Sequence, residues 1–295
     1  MKIIPLAADS LGVRSMATYV EAGRENRLLI DPGATLGLRR FNLNPSQEEL
    51  QALDRALGRI ATYAVRCTFF FVSHYHQDHL RADHILYKGR RVWAKDPWRL
   101  INAEQRRRAQ MFWTEVKPAV PYLERAEGRY FEFADATVKA SPALPHGPDG
   151  SPFGYVVALT VNDGFRFVFA SDVQGPCSPV AKAYLIREQP DLLYLSGPPI
   201  YLEERVGAAE IERGIEFLLE IIDTTGCQVI LDHHALRDRR HREKLARLYE
   251  TGKVVTAAEY LGLPEELLEA RRPELCARER NRLEARWLRP RKGTS

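Results

Sequence analysis

Apolar residues in this chain fall into short blocks separated by turn-forming residues. The blocks at 16–20, 27–30, 68–72, 92–94, 155–161, 165–170, 192–195 and 228–231 are rich in β-branched, aromatic and leucine side chains, a pattern that predicts strands. Helix-like stretches alternate with them at 46–57, 98–116, 179–187, 208–224 and 238–250, with a short one at 264–270. The first opens on Ser46-x-x-Glu49, the signature of a capping box. Strands alternating with helices imply α/β layers. The early strands are joined by brief turns at Glu25-Asn26 and Asp31-Pro32-Gly33, which suit hairpins better than crossovers. A mixed sheet, or two sheets with helices outside, is therefore expected. No repeat or flexible linker interrupts the pattern, so the expected organisation is one domain over 1–262 followed by a basic helical extension over 263–295.

Composition narrows the class without naming a chemistry. With 295 residues, 45% hydrophobic and 28% charged, the chain can bury a core without staples, which excludes disordered and fibrous classes. No apolar run reaches the roughly 20 residues of a membrane span. The opening stretch has no signal-peptide core before Asp9, so a cytoplasmic protein with no membrane partner is expected. Cys67, Cys177, Cys227 and Cys276 are widely spaced and read as free thiols rather than a disulfide framework or zinc knuckle. The net charge of +4 is mild, and its basic excess gathers near the end, from Arg271 and Arg272 to Arg289, Arg291 and Lys292. A solvated helix face explains that run better than a nucleic-acid partner does. Oligomeric state leaves no signal.

The chemistry concentrates in one window. The strand Phe69-Phe70-Phe71-Val72 runs into Ser73-His74-Tyr75-His76-Gln77-Asp78-His79, four ligand-type side chains within six residues. Buried strands deliver functional groups at their C-terminal ends. Imidazole with carboxylate suits zinc, iron, manganese, cobalt or nickel. Four such groups so close together do not fit one tetrahedral ion, but alternate residues can serve two.

His74, His76, Asp78 and His79 match His-x-His-x-Asp-His, and from about Leu11 to His234 the chain resembles the metallo-β-lactamase superfamily. Leu144-Pro145-His146-Gly147, Phe169-Ala170-Ser171-Asp172 and Val229-Ile230-Leu231-Asp232-His233-His234 stand where that superfamily has its later His, Asp and His, each after a strand. The wording of Ser171-Asp172-Val173-Gln174-Gly175-Pro176 and Ser196-Gly197-Pro198-Pro199-Ile200-Tyr201 is similar to a group of prokaryotic predicted metal-dependent hydrolases. The resemblance implies an α/β fold, a metallo-β-lactamase-like αββα sandwich of two mixed β-sheets with helices on the outer faces.

It also implies a site. His74, His76 and His146 would hold one divalent ion, Asp78, His79 and one of His233 and His234 a second, with Asp172 bridging. Zinc is expected, with manganese or iron as alternatives. Because side chains alternate along a strand, one of His233 and His234 is expected to face the site. His233 is preferred as the ligand, and His234 would orient a ligand or protonate a leaving group. Asp78, Asp172 and His234 are the catalytic candidates. Asp232, Arg237 and Asp238 are expected either behind the ligands or in surface salt bridges. Ser196, Gly197 and Tyr201 are expected to line the pocket. Between His79 and His146, Arg90, Arg91, Arg106, Arg107, Arg108, Phe112 and Trp113 offer phosphate-binding and base-stacking groups, although a helix with one solvated basic face explains them better.

The resulting expectation is a metal-dependent hydrolase using a dinuclear centre, with a phosphodiester or other small molecule as substrate. The short core-like stretch between Asp172 and His233 leaves no space for the large inserted domain of the superfamily's RNA-processing members. A carboxyl-ester, thioester or lactone hydrolase, a mononuclear iron oxygenase, and a non-catalytic nucleic-acid-binding protein are the alternatives.

Overall fold

In the computed structural model, which describes residues 1–287, Phe69 and Phe71 point into one apolar layer and Phe70 and Val72 into another, and all four are buried. A strand covered on both faces has no polar side to alternate with, which explains its unbroken apolar run. The same holds for Leu192 and Tyr194 against Leu193 and Leu195. Burial on both faces therefore dictates two stacked sheets with helices outside.

The first sheet contains β1 (Lys2–Pro5), β2 (Thr18–Ala22), β3 (Asn26–Ile30), β4 (Phe69–Val72), β5 (Arg91–Ala94) and β6 (Tyr122–Arg125) in chain order. Its pairings are antiparallel from β1 to β3 and parallel from β3 to β6. The second contains β7 (Tyr130–Glu132), β8 (Thr137–Ala140), β11 (Leu159–Asn162), β12 (Arg166–Ser171), β13 (Leu192–Ser196), β14 (Gln228–Asp232) and β15 (Val254–Val255), in spatial order 15-14-13-12-11-8-7. Its pairings are parallel from β12 to β15 and antiparallel elsewhere. A separate two-stranded ladder joins β9 (Leu144–Pro145) to β10 (Tyr155–Val156). Helices α1 (Gln47–Ala64), one-turn α2 (His84–Tyr87) and α3 (Ala103–Val116) lie on the first sheet. Helices α4 (Pro179–Glu188), one-turn α5 (Glu203–Val206) and α6 (Ala208–Thr225) lie on the side of the second. This is the expected αββα sandwich.

Departures from the predicted elements have local causes. The run 155–161 breaks because the Val157 amide donates across the sandwich to the Ser73 carbonyl and the Ala158 amide to Ser141 Oγ. Helix α3 begins at Ala103, where Asn102 caps it, rather than at residue 98. The stretch 238–250 forms two one-turn helices, His241–Lys244 and Ala246–Tyr249, and 264–270 yields only the start of a 3-10 turn at Glu269–Arg271. The four cysteines are free, three of them buried. Among the described residues no helix is long and apolar enough to cross a membrane.

The capping box at Ser46 and Glu49 forms as expected, and it also anchors a distant segment. Arg272, fully buried at the start of the C-terminal helix Arg272–Trp287, donates to Glu49 Oε1 at 2.7 Å and to the Leu43 carbonyl at 3.1 Å. Leu268 and Leu275 join the apolar layer beneath α1. Arg289, Arg291 and Lys292 of the basic run lie outside the described residues. Replacing Arg272 by Met would strand a buried carboxylate, so Arg272→Met should lower unfolding stability by about 3–5 kcal/mol, measured by denaturant titration.

Candidate metal centre

The strands end in the ligand-type residues. β4 leads to His74, His76, Asp78 and His79, β9 to His146, β12 to Asp172 and β14 to His233 and His234. At three strand ends the chain turns through a left-handed residue: Asp31 (φ 46°), Ser171 (φ 53°) and His233 (φ 59°). For residues with a Cβ this conformation costs roughly 1–3 kcal/mol each and persists where the surroundings enforce it.

All eight candidate side chains, the seven expected ligands and the second of His233 and His234, converge. His76 Nδ1 lies 3.0 Å from His74 Nε2 and 3.2 Å from His146 Nε2, forming one set. His79 Nε2 and Asp78 Oδ2 lie 3.3 and 3.4 Å from His233 Nε2, forming another. Asp172 stands between them. Its Oδ2 is 3.2 Å from His146, 3.4 Å from His79 and 3.7 Å from His74, while Oδ1 is 3.6 Å from His233. Two ligands held by one tetrahedral ion at about 2.0–2.1 Å stand roughly 3.3 Å apart, so these separations suit shared ions. Asp172 Oδ1 and His146 Nδ1 are buried without a hydrogen-bond partner. The donor set therefore fits metal.

Hydrogen bonds behind the rings set which nitrogen faces inward. The His79 Nδ1–H donates to Asp31 at 2.8 Å and the His233 Nδ1–H to Asp9 at 2.6 Å, which leaves each Nε2 lone pair turned to the cluster. Ser73 Oγ, 2.9 Å from His74 Nδ1, does the same for that ring. Gly33 brings the Asp31 turn close. A Cβ there would sit 2.3 Å from the Leu80 amide nitrogen, so only glycine admits the approach.

Electrostatics reinforce the arrangement. Burial holds His74 and His233 well below the usual histidine range, and it lowers His76 and His234 to about 3. Burial would raise Asp172, but His79, His233 and His234 outweigh it and keep the carboxyl ionised. His79 is raised despite burial, because Asp172 and Asp31 flank it. Four uncharged imidazoles, those of His74, His76, His233 and His234, beside the ionised Asp78 and Asp172 suit a cation.

Both His233 and His234 reach the cluster, contrary to the alternation expected of them. The strand ends at Asp232, and His233 opens a 3-10 turn in the left-handed region, so the two side chains no longer point to opposite faces. His233 is fully buried, whereas His234, 12% exposed, sits at the rim with Nε2 3.3 Å from Asp172 Oδ2. Ser196 and Gly197 do not line the site as expected. Ser196 is buried with Oγ accepting from the Gln174 amide, and a Cβ on Gly197 would meet Ala235 at 2.4 Å, so both form the packed wall behind it. Tyr201 does reach the rim, its hydroxyl 3.3 Å from His234 Nδ1.

No family model matches the chain. It is 40% identical over 290 residues to a UPF0282 protein of Thermococcus sibiricus, covering 93% of this chain and 94% of the relative. A UPF0282 protein of Methanocaldococcus jannaschii is 39% identical, with 93% and 96% covered. The chain belongs to the UPF0282 family. Among solved structures it is similar to isothiocyanate hydrolase from Delia radicum gut bacteria, with TM-score 0.53, 16% identity and 87% and 95% of the two chains covered. It is also similar to Zn(2+)-bound PqqB from Methylobacterium extorquens, with TM-score 0.50, 13% identity and 87% and 98% covered. At such identities the likeness is one of fold, the metallo-β-lactamase-like sandwich.

In this UPF0282 site Asp9 and Gln105 carry no local signal, whereas Arg237 and Asp232 stand behind the ligands, one of the two places expected of them. Asp9 lies far from the cluster in sequence, yet it accepts from both His233 and Arg237 Nε. Arg237 also donates to Asp78 Oδ2 and to the Tyr201 hydroxyl, at 3.3 and 3.2 Å. Asp232 accepts from the Ser10, His233 and Ala257 amides, which ties the turn down, and Asp238 pairs with Lys244 away from the ligands. Gln105 lies 3.4 Å from His76 Nε2. Four of the five arginines named in the insertion are engaged elsewhere, Arg90 on the Val65 carbonyl, Arg91 with Glu124, Arg106 on the Trp98 carbonyl and Arg108 with Glu104, while Arg107 is exposed. Phe112 is in the core and Trp113 donates to the Tyr75 hydroxyl.

Asp31→Asn, which weakens the grip on His79 while leaving both donor sets in place, should lower metal affinity by about 10- to 100-fold, read by competition with a chromophoric chelator.

Proposed function

We propose that this protein is a metal-dependent hydrolase that activates water at a dinuclear centre and acts first on a phosphodiester. The observation that carries the reading is the pair of donor sets, His74, His76 and His146 on one side and Asp78, His79 and His233 on the other, with Asp172 facing both. In this reading the first set would hold one divalent ion and the second set another, with Asp172 placed to serve both. Zinc is the first ion to test, then manganese and iron. When bound, such ions would supply an acidified water near neutral pH and a Lewis acid for the oxygen of the bond to be cleaved.

The protein's own groups do the rest. Asp31, Asp9 and Ser73 hold the rings in the tautomer that presents lone pairs inward. His234, at the rim between Asp172 and Tyr201, is placed to hold a proton for the departing group. Arg237 offsets the negative charge of Asp9 and Asp78. Hydrolases among the neighbours of the fold are in keeping with this chemistry.

Protein purified without chelator or affinity histidines should contain about two transition-metal ions per chain by elemental analysis, and Asp172→Ala should lose metal together with at least 100-fold of activity. Turnover of a phosphodiester dye but not of an acyl ester or lactone would uphold the substrate assignment, and the reverse would move it to carboxyl esters. A single iron per chain would favour oxygenase chemistry. Near-normal activity in Asp172→Ala would remove the bridging role.

A further inference from the structure

On the Tyr201 side of the cluster the surface opens into a groove of about 970 Å³. Arg40, Arg205, Arg237, Arg239, Arg240 and Lys244 line it, against three carboxylates. Some of these cations are already matched. Arg237 is held by Asp9 and Asp78, Arg239 by Glu274, and Lys244 by Glu203 and Asp238.

Arg40 is held differently. Its guanidinium carbon lies 4.7 Å from the centre of the Phe41 ring and 4.8 Å from that of Tyr201, so both rings hold the charge by their faces. Its ion-pair contact among the described residues is Glu269 at 4.0 Å, and that carboxylate already takes two bonds from Arg14, at 2.5 and 2.6 Å. One Arg40 N–H donates to the Arg237 carbonyl at 3.3 Å, while Nε is buried with no hydrogen-bond partner. A guanidinium offers five N–H donors in a fixed fork, and leaving such donors dry is unfavourable. Ring stacking fixes the plane, Nε is turned inward to Glu269, and the terminal nitrogens of the partly exposed side chain are what the groove can offer to a group with two oxygens. Tyr201, the ring that packs on Arg40, is also hydrogen-bonded to His234, so the groove and the donor cluster share a wall.

We propose that this groove is an anion subsite of the centre, in which Arg40 grips a phosphate group that is not the one being hydrolysed. Among the described residues Arg205 makes no ion pair, and Arg240 reaches only Asp238, at 4.0 Å, which Lys244 shares, so positive charge is left along the groove and favours a dianion over a carboxylate. The substrate class is then a phosphorylated small molecule, with the phosphate in the groove and the scissile bond over the ligands. The position of that bond rests on the hydrolase reading, whereas the phosphate contact does not.

The test is calorimetric titration of phenyl phosphate, with benzoate as the carboxylate control, into metal-loaded wild-type protein and Arg40→Gln and into the metal-depleted Asp172→Ala. Phenyl phosphate should bind wild type more tightly than benzoate does. Arg40→Gln should weaken it at least tenfold, and the same loss should appear when Arg40→Gln is added to Asp172→Ala. Equal affinity with and without Arg40 would overturn the subsite even if the protein proves a hydrolase. Arg40-dependent binding with no hydrolysis of any ester would keep the subsite and sink the hydrolase reading. Benzoate binding as tightly as phenyl phosphate would overturn the phosphate assignment. If Arg40→Gln fails to fold, Arg40→Lys, which keeps the charge but loses the planar fork, should weaken phenyl phosphate at least threefold; unchanged affinity there would equally overturn the proposal.

Discussion

The carboxylate of Asp31 lies wholly out of water at the C-terminal edge of the first sheet, where only dense donation can stabilise it. Ser73 supplies its amide at 2.7 Å and its hydroxyl at 2.5 Å, the His79 ring adds a bond at 2.8 Å, and Ser171 approaches from the second sheet at 3.2 Å. Satisfying this one group fixes three things together. The loop after β4 is pinned to the turn after β3, the His79 ring is set with one nitrogen inward, and the ends of β4 and β12 are drawn together across the sandwich. The bond from the Val157 amide to the Ser73 carbonyl tightens the same corner. Removing solvent from Asp31 is thus the constraint from which the arrangement of the ligands follows.

Strain and charge are distributed in accord with that constraint. Asp31, Ser171 and His233 adopt the left-handed conformation at the points where strands give way to ligand-bearing turns. Packing around the sheet ends enforces those turns, and each one aims a polar group at a single small volume. Ionised Asp78 and Asp172 stand there among imidazoles, with His79 drawn towards its charged form and His74, His76, His233 and His234 held uncharged, so the acidic groups set the local potential. Arg237, buried between Asp9 and Asp78, keeps that potential from destabilising the fold.

Much of this could be read in the sequence where the relevant residues are neighbours along the chain. The inward-facing Phe69 and Phe71 made β4 readable, and His74 to His79 could be recognised because one loop carries them all. Strands β6 to β8 were missed because they are short and partly exposed, with mixed polar residues such as Tyr122-Leu123-Glu124-Arg125. Asp9, Arg40 and Arg237 gave no signal as a group, since their partners are reached only through the folded chain. Asp31 was legible as a turn residue but not as the support of His79. The alternation rule failed for His233 and His234 because it assumes a strand, and the strand stops one residue earlier. Ser196 and Gly197 sit at a strand end on the correct side, yet sequence does not distinguish a wall behind the site from its surface.

Four side chains form a directed line from the groove to the ligands. Arg237 donates to the Tyr201 hydroxyl, which can donate to His234 Nδ1, whose Nε2–H points at Asp172 Oδ2. Every donor in the line faces the same way, so the bonds polarise one another and end on the carboxylate that both donor sets share. His234 is thus held at both ring nitrogens, by Tyr201 on one side and Asp172 on the other, so its ring cannot turn without giving up a contact at each end, and the wall of the groove and the heart of the cluster are braced by one side chain.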